Sequence, residues 1–455
     1  MIVIELLIFL STVLPIFHLI NALISRRRVI TQTPRAQKRF CLLIPCYNEE
    51  DTVAISLRGL QALNYQNYEA IYINDGSTDN TLQTLADLLD LSKYQRPSGC
   101  PGDVTAIYRS KTNPRIRVVD RSNGGKSAAL NTGILLAKSR YIVTLDADSV
   151  LERDALSHMN RAFEDKNLVA AGGSIHIMQA YGSDYQSGSL GRLKTALISL
   201  QLLEYLKGFY IYKFSLAKQN ATAIISGAFG VFRKDILLAV GGFRKTLGED
   251  IDITMRIQQL IHRTRQQIQY LPEALCFTQC PEGVKDLMKQ RLRWQKGFID
   301  CAHYHRKFLL TTFFRCSMSF HFFVEALAVG VCSCIFTVFS YLFAGALAFH
   351  DPNALVVFLF YYVSCLVFYL LYTLGAIFMS GKYSPYPKGV LRRALVSLLL
   401  DIFVFRYFSL AMYLLGTIQY YWNQSGNHNW NKVARVKREY LAIDYNGGYH
   451  GKAVG

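Results

Sequence analysis

The chain has 455 residues, 51% of them apolar and 18% charged, with a formal charge of +18, and its mean hydropathy is above zero. That balance excludes a protein that is soluble throughout, puts part of the chain in a membrane, and leaves room for a sizeable soluble core. Much of the basic charge flanks apolar segments, so topology accounts for it and no nucleic-acid partner is implied.

Residues 1–24 are nearly all apolar, and about 20 helical residues cross a hydrocarbon core. Arg26, Arg27 and Arg28 follow this run rather than precede it, and no small-residue cleavage site is evident. The segment therefore reads as a retained span with its C-terminal end in the cytosol.

From residue 40 to 145 short apolar runs alternate with helical patterns. The runs at 40–44, 69–74, 116–119 and 141–145 predict strands, and 49–63, 78–91 and 125–137 predict helices. Alternation of this kind gives an α/β domain with a parallel sheet, whose strands end on one rim. The segments after the strands are polar: Pro45-Cys46-Tyr47-Asn48-Glu49-Glu50, Asn74-Asp75-Gly76-Ser77-Thr78-Asp79 and Asn123-Gly124-Gly125-Lys126-Ser127. Gly76 permits a sharp turn, and Asp75 can accept hydrogen bonds from a ribose or a base; equally, Ser77 or Thr78 caps the next helix. Gly124-Gly125-Lys126 is either a turn with a solvated lysine or a site for diphosphate oxygens at a helix start, and it lacks the glycine spacing of a Walker A loop. Residues 93–113, with Pro97, Gly99, Pro101 and Gly102, read as a long surface loop.

The run Tyr141-Ile142-Val143-Thr144-Leu145 ends in Asp146-Ala147-Asp148. Carboxylates two apart on an extended chain face the same way, so both can meet one divalent ion or a metal-bound diphosphate. A strand end followed by polar turn residues would look the same. Beyond it, 168–173 predicts another strand and 190–213 a long amphipathic helix. Ser226-Gly227-Ala228-Phe229-Gly230 allows close approach to backbone, or a strand bulge. Gly248-Glu249-Asp250 opens a helix, where the dipole favours acids in any case and a carboxylate can also serve as a general base; Asp250 is the candidate. In Gln290-Arg291-Leu292-Arg293-Trp294, helical spacing puts Gln290, Arg293 and Trp294 on one face and Arg291 elsewhere. That face suits either a sugar or an anchor at a membrane interface.

The last third reads as an interfacial helix followed by spans at 325–348, 354–379 and 394–420. The loop 380–393 carries Lys382, Lys388, Arg392 and Arg393 and belongs in the cytosol. Parity then puts the tail outside, although Lys432, Arg435, Lys437 and Arg438 favour the cytosol. Glu325, Asp401 and Arg406 fall in or near apolar runs, where they either pair with one another or line a polar conduit. Ten cysteines without paired metal spacing, Cys332 and Cys334 among them within an apolar run, read as reduced structural thiols. Cys46 lies near the rim and reads as a small buried residue.

In order, Asp75-Gly76-Ser77, Asp146-Ala147-Asp148, Gly248-Glu249-Asp250 and Gln290-x-x-Arg293-Trp294 resemble the processive family 2 glycosyltransferases, which include cellulose, chitin, hyaluronan and poly-N-acetylglucosamine synthases. The resemblance covers about residues 40–300 and the flanking apolar segments. It implies a Rossmann-like, nucleotide-sugar-binding domain of the glycosyltransferase A type with flanking transmembrane helices. The corresponding boundaries are a span at 1–25, a cytosolic transferase domain at 38–305, an interfacial segment at 306–323, about three spans within 324–421 and a basic tail at 422–455.

Carried over by position, the resemblance implies that Pro45, Tyr47, Glu49, Asp75, Lys126 and Asp146 hold a UDP-sugar. Asp146 and Asp148 hold Mg²⁺ or Mn²⁺, with Asp148 the more direct ligand. Asp250 is the base for the acceptor hydroxyl, and Gln290, Arg293 and Trp294 clamp acceptor and diphosphate. The longer polar insert between Asp79 and Asn123 departs from the pattern. One leading span and about three trailing ones look most like the poly-β-1,6-N-acetylglucosamine synthases, which places the enzyme in the inner membrane with a growing polysaccharide, the bilayer and export or accessory subunits as partners. A hyaluronan- or cellulose-type synthase, transfer of one sugar to a lipid, and an inactive membrane receptor or channel component are the alternatives.

Overall fold

A computed structural model describes residues 2–24, 36–97, 99–330, 345–346, 349–350, 352–383 and 386–422. Arg26, Arg27 and Arg28, most of the span expected at 325–348, Cys332, Cys334 and the cationic residues of the tail lie outside them. The chain forms two units: one of Arg28–Ser189, Thr222–Pro281 and Asn427–Gly455, the other of Met1–Arg27, Leu190–Ala221 and Glu282–Gly426.

The first unit is built on a sheet. In chain order it contains β1 (Phe40–Cys46), α1 (Val53–Gln61), β2 (Tyr68–Asp75), α2 (Thr81–Leu89), β3 (Leu91–Lys93), β4 (Val104–Ser110), β5 (Ile116–Arg121) and α3 (Lys126–Leu136). There follow β6 (Tyr141–Leu145), β7 (Ser149–Leu151), α4 (Ala155–Ala162), β8 (Leu168–Ile177), β9 (Phe229–Arg233), α5 (Lys234–Ala239), α6 (Glu249–Ile261) and β10 (Gln267–Thr278). Among the described residues the sheet has ten strands in the order β3-β4-β5-β2-β1-β6-β9-β8-β10-β7.

β1 and β2 are buried along their whole length, which is why they read as continuous apolar runs rather than alternating ones. β1 pairs parallel with β2 and β6, and β2 with β5, so the four strands expected to share a rim do so. The sheet is mixed, however: β9 runs antiparallel between β6 and β8. The expected loop at 93–113 is corrected too, because β4 pairs antiparallel with β5 and β3 with β4. Pro97, Gly99, Pro101 and Gly102 cluster in the first half of that stretch and mask the strand-forming Val104-Thr105-Ala106-Ile107-Tyr108 behind them. Leu43, Ile71, Val119, Ile134, Ile142 and Ile253 belong to the core between sheet and helices.

The second unit is helical. Its helices include Ile2–Ile24, Arg192–Lys207 continuing through Gly208–Lys213 and Phe214–Lys218, Val284–Tyr304, Pro352–Gly381 and Arg406–Trp422. Residues 197–203 are buried on every side of their helix while residues 191–194 are exposed, so the stretch expected to be amphipathic changes burial along its length rather than around it. Among the described residues two helices, Tyr362–Gly381 and Leu398–Trp422, are long and apolar enough to cross a membrane. They fall where the last two trailing spans were expected.

The ionisable residues flagged in the apolar runs do not pair with one another. Asp401 accepts from Lys207 Nζ at 2.6 Å and from the Tyr369 hydroxyl at 3.1 Å. Glu325 meets His18 and His321. The Arg406 guanidinium lies 5.3 Å from the Tyr369 ring centre.

Candidate active site

The rim where β1, β2, β5 and β6 end is organised by backbone hydrogen bonding. Asn48 adopts the left-handed conformation (φ 57°), which asparagine tolerates better than most residues. Its Oδ1 accepts from the Thr78 N–H at 2.7 Å, while its own N–H donates to Ser77 Oγ at 3.0 Å. The N–H of Glu49 donates to Thr81 Oγ1 at 2.7 Å. The loops after β1 and β2 are thereby stitched together, with Pro45 inside β1, Tyr47 half-buried at its exit, and the Glu49 carboxylate accepting from Thr52 Oγ1 at 2.6 Å. Cys46 is buried and burial pushes its thiol up, which fits a structural residue.

Asp75 is the last residue of β2 and is 2% exposed. It accepts from the guanidinium of Arg121, its partner in register on β5, and from the N–H groups of Gly124 at 3.1 Å and Gly125 at 2.7 Å. Burial raises its carboxyl above the usual range, opposed by those N–H groups and by Arg121. In this arrangement Asp75 fixes the glycine turn that leads into α3. Gly76 sits at φ 65°, and a Cβ there would lie 2.7 Å from the Asn123 nitrogen, so turn and contact both require glycine. Arg121, which also pairs with Asp103, was not singled out from the sequence; its partner lies in the stretch expected to be loop.

Lys126, the first residue of α3, places its ammonium 2.8 Å from Asp146 Oδ1 and 2.9 Å from Glu249 Oε1. Burial works against its charge, and the two carboxylates more than offset it, holding the group above the usual lysine range. Asp146 is about a third exposed at the end of β6. Asp148 is 6% exposed; its Oδ1 accepts from Ser149 Oγ at 3.2 Å and Thr278 Oγ1 at 3.4 Å. Thr278 ends β10 and is paired with Ser149 of β7, a long-range contact with no local sequence signal.

The three acids in the first turn of α6 diverge. Glu249 faces Lys126, a role the sequence reading missed by choosing its neighbour. Asp250 Oδ2 accepts from the Gly227 N–H at 3.2 Å. Asp252 is fully buried between Arg244 at 2.9 Å and Arg256 at 2.7 Å, an internal pairing that fixes the helix start. A Cβ on Gly227 would lie 2.9 Å from Lys126 Nζ and 3.6 Å from Asp250 Cβ, so this glycine keeps the floor of the rim open. Lys126, Thr144, Ile225, Gly227, Glu249 and Asp250 line one recess. A cation held by converging hard oxygens, beside a second carboxylate oriented by backbone, can bind an anionic leaving group and take up a proton.

Gln290, Arg293 and Trp294 belong to the helical unit, on Val284–Tyr304. Gln290 is buried, and its Oε1, like Arg293 Nε, has no hydrogen-bond partner among the described residues. Trp294 is 39% exposed. The expectation that Arg291 points elsewhere is corrected: its guanidinium lies 4.4 Å from the Trp294 ring centre and 2.6 Å from Glu204 Oε2. An arginine side chain is long enough to turn back over the following turn of its helix and stack on an indole.

Residues 41–241 match the family model of glycosyl transferase family 2. That stretch is similar to the glycosyl transferases of family 2. It is 33% identical over 258 residues to a poly-beta-1,6-N-acetyl-D-glucosamine synthase of Staphylococcus aureus, an overlap of 56% of this chain and 53% of the relative. It shows the same identity and coverage with the synthase of that name from Staphylococcus epidermidis. The chain spans about half the length of the curated relatives it matches. Among solved structures, the mannosyltransferase PcManGT from Pyrobaculum calidifontis, described in complex with GDP-Man and Mn²⁺, superposes with a TM-score of 0.55 at 16% identity, covering 93% of this chain and 99% of that one. The shared fold is that of the A-type glycosyltransferases.

Proposed function

We propose that the chain is a membrane-bound, inverting glycosyl transferase that adds N-acetylglucosamine units from a UDP-sugar to a growing β-linked polysaccharide. The observation that carries this reading is the Lys126 ammonium seated 2.8 Å from Asp146 and 2.9 Å from Glu249 on a strand-end rim, with Asp250 alongside in the same recess. Likeness to the poly-beta-1,6-N-acetyl-D-glucosamine synthases supports the choice of sugar. The two apolar helices of the helical unit support the membrane reading, with the transferase domain facing the cytosol.

Asp146 and Asp148 would hold a divalent ion, Mg²⁺ or Mn²⁺. The donor set fits, being hard carboxylate oxygens that already draw in the protein's own cation. Such an ion, when bound, neutralises charge on the diphosphate of the donor. The chain's own residues do the rest. Pro45, Tyr47 and Glu49 line the side of the rim assigned to the uridine, and Asp75 acts there by holding the Gly124-Gly125 turn. Lys126, at the head of α3, moves from the carboxylates to the diphosphate oxygens. Asp250, oriented by the Gly227 N–H, takes the proton of the acceptor hydroxyl as its oxygen attacks the anomeric carbon in line. The new bond from carbon to acceptor oxygen forms as the bond to the diphosphate oxygen breaks, and UDP leaves. Gln290, Arg293 and Trp294 hold the acceptor end, with the buried Gln290 Oε1 and Arg293 Nε as groups a ligand would satisfy.

The test is to incubate membranes carrying the full chain separately with UDP-N-acetylglucosamine, UDP-glucose and UDP-glucuronate in Mg²⁺ or Mn²⁺. The reading predicts UDP release and a ladder of products with the first donor alone. A single-sugar product identifies transfer to a lipid acceptor instead, and no UDP release from any donor rejects the transferase reading.

A further inference from the structure

The helical unit contains a polar cluster that the sugar chemistry does not use. His18 on Ile2–Ile24, and His321 and Glu325 one turn apart in the segment from Ser317, are 2%, 5% and 9% exposed. One ligand atom from each, His18 Nε2, His321 Nδ1 and a Glu325 carboxylate oxygen, fall within 4.8 Å of one another. Ionisable groups buried among apolar helices are costly, so three converging on one point require an account.

A second layer of hydrogen bonds orients both rings. Gln219 Nε2 donates to the Ser215 carbonyl at 3.3 Å, which turns Gln219 Oε1 toward His321 Nε2 at 2.8 Å. His321 Nε2 therefore donates to Gln219 Oε1, and His321 Nδ1 faces the Glu325 carboxylate. His18 Nδ1 lies 2.8 Å from Ser215 Oγ, which also accepts from Asn21 Nδ2 at 2.7 Å. His18 Nε2 faces the same carboxylate, 2.9 Å away. A cation among the two imidazoles and the carboxylate, a proton or a metal ion, holds such a trio together. Imidazoles whose far nitrogens are hydrogen-bonded, beside one carboxylate, form the arrangement by which proteins hold zinc.

We infer that His18, His321 and Glu325 form a divalent metal site of the zinc class that clasps the N-terminal helix to the segment from Ser317, with Ser215 and Gln219 on a third helical stretch setting the ring orientations. Ligand bonds of about 2.0–2.2 Å in a tetrahedral site put ligand atoms about 3.3 Å apart. His18 Nε2 stands 2.9 Å from the carboxylate and His321 Nδ1 is nearer still, so an entering ion parts both nitrogens from the carboxylate. The Tyr212 ring packs edge-on against His18, with ring centres 5.2 Å apart. Nitrogen donors select zinc or cobalt over magnesium and calcium, which separates this site from the carboxylate rim.

The full chain, purified in detergent without chelator, should hold one equivalent of zinc by elemental analysis. Cobalt loaded in its place should give the intense visible absorption of a four-coordinate ion. Glu325→Gln and His321→Gln should lose both signals while eluting like the parent in gel filtration, and Asp148→Asn should keep them. Absence of zinc together with failure to take up cobalt overturns the proposal and leaves an imidazolium–carboxylate pair. So does uptake that survives both substitutions in the cluster. Should the substituted chains fail to fold, the cobalt spectrum of the parent decides, since binding without imidazole ligands contradicts the site.

Discussion

Each unit holds a lysine against aspartate, and the two pairs are built to opposite ends. On the sheet rim, Lys126 is shared by Asp146 and Glu249, and the Asp146 side chain is 31% exposed. In the helical unit, Lys207 meets Asp401, whose side chain is 1% exposed and which also accepts from Tyr369. The first lysine can exchange its partners for an incoming anion because Asp146 is open to solvent and a second carboxylate is at hand. The second cannot leave without stranding a charge in an apolar interior. The same ion pair thus serves ligand exchange in one place and the packing of helices in the other.

Breaking the sealed pair should have the largest effect. Lys207→Met leaves Asp401 buried without its counter-ion and should cost about 3–5 kcal/mol, read as a large fall in the thermal midpoint of the detergent-solubilised chain. The double change Lys207→Met with Asp401→Leu should recover most of it. A single substitution no worse than the double one would erase the contrast.

An intermediate effect should come from Glu152, just after β7. Burial raises its carboxyl to about 7, with the Asp154 N–H opposing. A raised folded value means that the folded state holds the proton more tightly, so this contribution is present below about pH 4.5 and lost as pH climbs through 7. The loss should amount to at most about 3 kcal/mol. Glu152→Gln should flatten the stability profile across that window, and an unchanged slope would rule the residue out as its source.

The smallest effect belongs to the open pair. Glu249→Gln leaves Lys126 with Asp146 as its carboxylate, and should shift stability by about 1–2 kcal/mol. A loss as large as that of Lys207→Met would mean that the rim is a packing device.

Much of the sheet was legible because β1, β2, β5 and β6 are buried strands that announce themselves as apolar runs closed by polar, glycine-bearing turns. The helix start at Glu249 was legible for the same reason, since acids crowd its first turn. What was hidden depends on pairing across the chain. The edge strand β3 and its neighbour β4 lie on either side of a proline- and glycine-rich stretch, and that composition argues for a loop. Only the fold brings Arg121 to Asp75, Thr278 to Asp148, Glu249 to Lys126 and Glu204 to Arg291. The sequence pointed to Asp75 as a ligand contact; the fold also has it tie down a turn through two glycine N–H groups, which no local pattern announces. The ionisable residues of the apolar helices could be counted in the sequence, but not their partners.

The central claim rests on Asp250 as the group that accepts the proton of the acceptor hydroxyl. Single-turnover transfer from UDP-N-acetylglucosamine by the full chain with Asp250→Asn tests it most directly, with donor binding measured in parallel. The account predicts that transfer falls by about 10²–10⁴-fold while donor affinity stays within a few-fold of the parent. Transfer at the parental rate by the Asp250→Asn chain would contradict it.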